Sequence, residues 1–134
     1  MAAEATALRA VFDVSVTSLV FTLQEALVDL KAARGALLVT NGGLGFFDPQ
    51  VDAMAVQWSS MGLAIANAAK HKLIGLLTEK FRADEITVGE VVVLGTVKGT
   101  VWDTGNATID PCTVADKFWD IYSNRESRSV TVWR

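Results

Sequence analysis

The side chains that could do chemistry are few and scattered. Asn41–Gly42–Gly43–Leu44–Gly45 closes an apolar run with the kind of glycine-rich turn whose backbone amides can surround a phosphate. Such a loop also needs a helix directly behind it and a lysine. Neither follows, so a structural turn is expected, with Thr40 and Asn41 left as polar lining for a cleft. His71, the one histidine, stands between Lys70 and Lys72. It has no partner at ligand spacing, so no metal site is expected and the cluster reads as a solvated basic face. Cys112 falls in the first turn of an expected helix, where the dipole would lower its thiol pKa, yet nothing in sequence brings His71 to it as a base. Ser59 and Ser60 lie outside any G-x-S-x-G elbow, which leaves a hydrolase triad without support. Asp103, Asp110, Asp116 and Asp120 show no acidic-ligand pattern; Asp110 reads as a helix cap and the others as exposed charge. Trp102 is expected either to flank a ligand cleft or to close over the sheet edge.

These residues depend on the elements that carry them. Ala36–Thr40 runs apolar or β-branched without alternation into the glycine turn, the pattern of a parallel strand buried on both faces. This strand is expected to be the spine of the sheet, with Leu38 in its middle. Before it, Leu8, Val11, Phe12, Leu19, Leu23, Ala26, Leu27 and Leu30 fall at helical spacing from about Glu4 to Ala33, ended by Gly35. Val14, Val20, Phe21 and Val28 lie off that stripe, so this helix is apolar on two sides. Asp48–Pro49 opens a second helical stretch, as cap and first position. A break is expected near Ser59–Gly62, leaving Leu63–Arg82 as the principal helix. Thr87–Leu94 reads as a second buried strand, and Thr96–Ile109 as a loop. Asp110–Pro111 opens a third helix, with Val114, Ala115, Phe118, Trp119 and Tyr122 inward. Ser129–Trp133 reads as a short edge strand. The order is α-β-α-β-α-β: a three-layer α/β/α, half-Rossmann-like sheet, mostly parallel, in one domain spanning 1–134.

The bulk composition narrows the function classes. Twelve basic and 15 acidic side chains give a net charge of −3 with no basic run, which argues against nucleic acid. One cysteine rules out an internal disulfide, and a cytoplasmic location is the default. The first ten residues do not resemble a signal peptide, and charges, Gly or Pro are expected to interrupt every window long enough to span a bilayer. At 51% hydrophobic, the chain is expected to meet another copy of itself.

With the elements in place, the chain resembles the C-terminal half of short-chain dehydrogenases/reductases. FDVSV at 12–16 is similar to their FxVNV helix segment, and GALLVTNGG at 35–43 to the following strand, which ends in the catalytic serine. Ala68–Leu73 resembles the YxxxK helix, EVVVLGTVKGT at 90–100 the next strand and substrate loop, and DPCTVADKFWDIY at 110–122 the helix after it. The resemblance places Ser15 at the catalytic Asn, Thr40–Gly42 (with Asn41 the substituted site) at the catalytic Ser, Ala66 at the Tyr, and Lys70 at the Lys. Lys70 alone is the family residue, and with it the one implied cofactor contact. The proton-donating phenol is absent. No GxGxxG stands near the N-terminus.

The resemblance implies two functions. One is a non-catalytic relative, oligomeric or binding a small molecule, with no cofactor expected for the isolated chain. The other is an NAD(P)-dependent short-chain oxidoreductase subunit acting on a carbonyl or hydroxyl substrate. A homo-oligomer is expected in either case, with neither nucleic acid nor membrane as partner.

Overall fold

The computed structural model describes residues 5–133; the expected helix start at Glu4 lies outside them. The first apolar stretch forms helix α1 (Ala5–Phe12), a π-helical turn over Asp13–Thr17, and helix α2 (Ser18–Ala33). The expected helix is therefore interrupted, since the π turn inserts one extra residue into the hydrogen-bond ladder. Arg34, not Gly35, takes the left-handed cap, at φ 48°, and the Gly35 N–H closes the end on the Leu30 carbonyl at 2.7 Å.

Strand β1 (Ala36–Gly42) follows and ends in a 3₁₀ turn over Gly43–Gly45. Helix α3 (Pro49–Gln57) opens as expected, the Asp48 carboxylate accepting the Gln50 and Val51 N–H groups at 2.8 and 3.3 Å. The break falls where expected, with Ser59 in the left-handed region, and helix α4 runs Met61–Lys80. Strand β2 (Thr87–Val93), helix α5 (Pro111–Asn124) and strand β3 (Arg128–Val132) complete the chain.

The sheet has the order β1-β2-β3, parallel throughout. That order corrects the expected spine. Strand β1 is an edge and only half-buried, with Thr40 exposed, whereas β2 is buried from Thr87 through Val92. Both strands are rich in apolar residues; the difference is position, because only β2 has a neighbour on each side. Leu38 is accordingly half-buried, packed from the edge rather than centred in the sheet.

Helices cover both faces. Leu19, Leu23 and Leu27 of α2 and Ile74 and Leu77 of α4 pack on Leu37, Val39 and Val88. On the opposite face, Val114, Phe118 and Ile121 of α5 pack with Val91, Val130 and Val132. This stripe differs from the expected one. Trp119 and Tyr122 face outward and stack on each other at 5.7 Å, and the buried residue is Ile121. An i, i+4, i+7 spacing fits Val114–Phe118–Ile121, and the smaller branched chain fills the space over Gly89. A Cβ at Gly89 would lie 2.5 Å from Ile121 Cγ2.

Helix α2 and the π turn before it keep a second apolar side uncovered, with Val14, Phe21 and Val28 exposed. The stretch Ala5–Ala33 is 29 helical residues, long and apolar enough by length and composition to cross a membrane. That corrects the expectation that every such window is interrupted: its charges are too few to break it. Within it Leu23 is buried in the core and Leu19 and Leu27 pack half-buried against that core, while most of the stretch stays uncovered.

Candidate functional site

The sheet places one acid where it is least expected. Strand side chains alternate, so Val88, Glu90 and Val92 of β2 share a face, under α4. Glu90 is fully buried there, in the middle of the central strand. A buried carboxylate is tolerated only when its oxygens are hydrogen-bonded and its charge is answered. Three elements supply the donors. Asn41 Nδ2, from the end of β1, donates to Glu90 Oε1 at 2.7 Å. Ser129 Oγ, register partner of Glu90 on β3, donates to Oε2 at 2.8 Å. His71 Nδ1, from α4, meets the same Oε2 at 2.6 Å. The Asn41 amide is itself complete, donating also to the Asn67 carbonyl at 3.0 Å while its oxygen accepts the Gly42 N–H.

His71 is half-exposed, its side chain 46% accessible against 0% for Glu90. The ring is braced edge-on by Phe46, with centroids 6.1 Å apart at 87°. One turn-neighbour away, Lys70 is half-buried; loss of hydration lowers its ammonium pKa, opposed by the nearby Glu90 charge. His71 and Lys72 are exposed, as the sequence suggested, but His71 is also one end of a polar tie between α4 and all three strands.

The glycine turn has a packing reason. A Cβ at Gly45 would lie 2.5 Å from the Ala68 nitrogen and 2.6 Å from the Asn67 carbonyl carbon, both backbone atoms of α4. A Cβ at Gly42 would meet the Asn67 amide at 2.6 Å. The turn thus lets β1 and α4 approach closely enough for Asn41 to reach both Asn67 and Glu90.

The residues singled out by resemblance come together only in part. Lys70 and Asn41 both border Glu90. Ser15 lies within the π turn, packed against α4, and its buried hydroxyl has no hydrogen-bond partner among the described residues. Ala66 is fully buried, four residues before Lys70. Thr40 is exposed.

Other candidates resolve more simply. Asp110 accepts the Cys112 N–H at 2.8 Å as the α5 cap, and that carboxylate pushes the neighbouring thiol pKa up. The expected lowering by the helix dipole is overridden by a full charge at shorter range. Asp103 is not idle surface charge: it accepts the N–H groups of Gly99 and Gly105 at 2.9 Å and of Ala107 at 3.3 Å. Those bonds, that of Gly99 first, lower its pKa and fold the loop around it. Trp102 stands in solvent on that loop, neither over the sheet edge nor in a cleft. No group of three or more His, Cys, Asp or Glu suited to a metal occurs among the described residues.

Two concavities stand out among the described residues. The larger, about 570 Å³, lies at the amino edge of the sheet and is lined by Arg34, Arg82, Glu85, Arg125 and Thr87. Arg34 and Arg125 cap the carboxyl ends of α2 and α5, and Arg125 donates to the Arg34 and Glu85 carbonyls. The Arg34 guanidinium pairs with the Glu85 carboxylate at 3.0 Å and that of Arg82 with Glu79, so the guanidiniums lining this concavity are already answered by protein oxygens. The smaller, about 290 Å³, lies between α4 and β3 beside His71, Glu90 and Ser129.

Sequence reading missed Glu90. The available signal was a lone acid inside TVGEVVV, since a charge in a strand read as buried must have partners.

No family model matches the sequence, and no curated protein matches it. Solved structures do share the fold. A short-chain dehydrogenase/reductase family oxidoreductase from Burkholderia thailandensis superposes with a TM-score of 0.79 at 17% identity, over 98% of this chain and 56% of its own. A short-chain dehydrogenase/reductase of unknown function from Caenorhabditis elegans, solved with cofactor, gives 0.79 at 13%, over 97% and 55%. An oxidoreductase of that family from Brucella ovis, in complex with a partially ordered NAD, gives 0.66 at 14%, over 97% and 54%. This chain spans about half the length of the solved structures it matches, and at these identities the likeness is one of fold. The architecture is that of part of a short-chain dehydrogenase/reductase.

Proposed function

We propose that the chain corresponds to the C-terminal half of that fold and acts as a relative without the family's carbonyl-reducing chemistry, assembling as a homo-oligomer and able to hold a small molecule. The observation that carries this reading is Ala66. The position four residues before Lys70 holds a methyl group sealed in the core, with no hydroxyl to give a carbonyl its proton. The carboxylate whose charge acts on Lys70 is Glu90, which is already committed to Asn41, Ser129 and His71.

The test is a titration of NADPH and NADH into the purified 134-residue chain, by fluorescence or calorimetry. One partly hydrated lysine contributes about 1 kcal/mol or less to an ion pair, whereas micromolar affinity requires about 8 kcal/mol. The expected result is no saturable binding tighter than about 10 µM. Tighter binding, lost in Lys70→Ala, would favour the second reading: an NAD(P)-dependent subunit whose remaining nucleotide contacts come from elsewhere. That reading draws on the NAD held by the Brucella ovis structure.

Assembly is supported by two features. Strand β1 offers an unpaired edge among the described residues, and exposed Val14, Phe21, Val28, Leu63, Ile65 and Leu76 lie on α2, α4 and the turn before α2. Light scattering is expected to give a multiple of 14.4 kDa, and a monomer at high concentration would overturn this part of the reading.

A further inference from the structure

The Glu90–His71 pair has chemistry that its structural role leaves unused. A carboxylate on Nδ1 holds the imidazole in one tautomer, with Nδ1–H donated inward and the Nε2 lone pair outward. This is how a base is prepared to take a proton from water or a hydroxyl. The geometry is close at 2.6 Å, Glu90 is immobilised by Asn41 and Ser129, and Phe46 braces the ring. Nε2 has no partner among the described residues, and the side chain opens onto the cleft of about 290 Å³ between α4 and β3.

Beside it the cleft offers Arg128, Ser129, Thr78 and the bare backbone of Gly75. Thr78 and Ser129 spend their hydroxyl protons on the Ile74 carbonyl and on Glu90. Neither is therefore a nucleophile activated by His71, which excludes a serine-type triad. Arg128 borders the cleft next to Ser129, but its side chain alternates to the face of Val130 and Val132 and its guanidinium pairs with Glu126. The cleft is open, so water can enter.

We propose that His71 is the general base of a hydrolytic site in this cleft, oriented by Glu90 as a positioning residue, with small carboxylic esters as the substrate class. Nε2 takes a proton from water as its oxygen bonds to the ester carbonyl carbon. The carbonyl π electrons move to oxygen. When the tetrahedral species collapses, the C–O bond to the leaving group breaks and the imidazolium returns its proton to the departing alcohol. The products are acid and alcohol, and no oxidant or cofactor is consumed. This activity is separate from carbonyl reduction and does not depend on Ala66 or Lys70.

p-Nitrophenyl acetate is the probe, in a Cys112→Ala background because the exposed thiol also attacks activated esters. His71→Gln, a change at a half-exposed position, is expected to lower kcat/KM about tenfold or more. Glu90→Gln, which keeps shape and most hydrogen bonding, is expected to lower it by a similar factor. It is also expected to slow acylation of the single imidazole by diethyl pyrocarbonate, a readout that a purely structural role would not move. Circular dichroism and melting establish that each variant is folded. Should Glu90→Gln not fold, His71→Gln alone decides. Equal hydrolysis by folded His71→Gln and its parent overturns the proposal, as does unchanged imidazole acylation in folded Glu90→Gln.

Discussion

Asn41→Asp is expected to destabilise the fold by about 3–5 kcal/mol at neutral pH, the range for leaving a buried charge uncompensated. The change is one atom in size. It replaces the donor 2.7 Å from Glu90 Oε1 by a second carboxylate oxygen, at a site where Glu90 is fully buried. Two ionised carboxylates at that distance cannot both be accommodated, so the pair is expected to share a proton. A carboxyl whose pKa is raised on folding takes up a proton as the chain folds, so the penalty grows as pH rises. The melting difference from the parent is therefore expected to narrow as pH falls toward about 4, near the ordinary carboxylate range. Denaturant melts at neutral and acid pH measure this directly. An Asn41→Asp protein as stable as its parent at pH 7 would show that Glu90 is not held by this contact. Asn41→Leu separates charge from hydrogen bonding: it leaves Oε1 without its donor but adds no charge, and is expected to fall between the two.

The second large effect is expected at Gly45. Alanine there would bring Cβ to 2.5 Å from the Ala68 nitrogen and 2.6 Å from the Asn67 carbonyl carbon. A side chain could rotate away; helix backbone cannot, so α4 must shift off the end of β1. Overpacking of this kind costs about 1–3 kcal/mol, occasionally more. The shift would also lengthen Asn41 Nδ2 to the Asn67 carbonyl, so slower-exchanging amides near Gly42 should become labile. Gly99→Ala serves as the contrast, because a Cβ there meets nothing within 4 Å and only its φ of +74° opposes the change. If Gly45→Ala melts with the parent, the glycine turn has some role other than close approach.

Local signals were read correctly from the sequence, and long-range ones were not. Asp48–Pro49 and Asp110–Pro111 are caps because an Asx side chain, a fixed φ and two free amides lie within four residues. Strand and helix order followed from apolar runs and spacing in the same way. The identity of the central strand did not, because β1 and β2 are equally apolar and only the order β1-β2-β3 makes β2 the middle one. Glu90 was hidden for a related reason. Its partners are 49, 19 and 39 residues away, so nothing near it in sequence announces that its charge is answered. The α5 stripe failed on competing rows: Trp119 and Tyr122 look like core by type, but Ile121 is the residue that fits above Gly89.

The position of Glu90 has a consequence for how the sheet finds its alignment. Val91, Val92 and Val93 follow it in an unbroken row, and both faces of β2 carry buried valine. Sliding such a strand by one residue exchanges its two faces at little cost in greasy surface, so valine alone specifies pairing poorly. Glu90 removes that freedom. A one-residue slip would turn its carboxylate toward Ile121 and Leu38, the side chains that crowd Gly89 on the other face, where no donor waits. The misaligned sheet would then bury a bare charge, at a cost of several kcal/mol. A single acid among valines thus acts as an alignment key, admitting one registration of three strands and rejecting its neighbours.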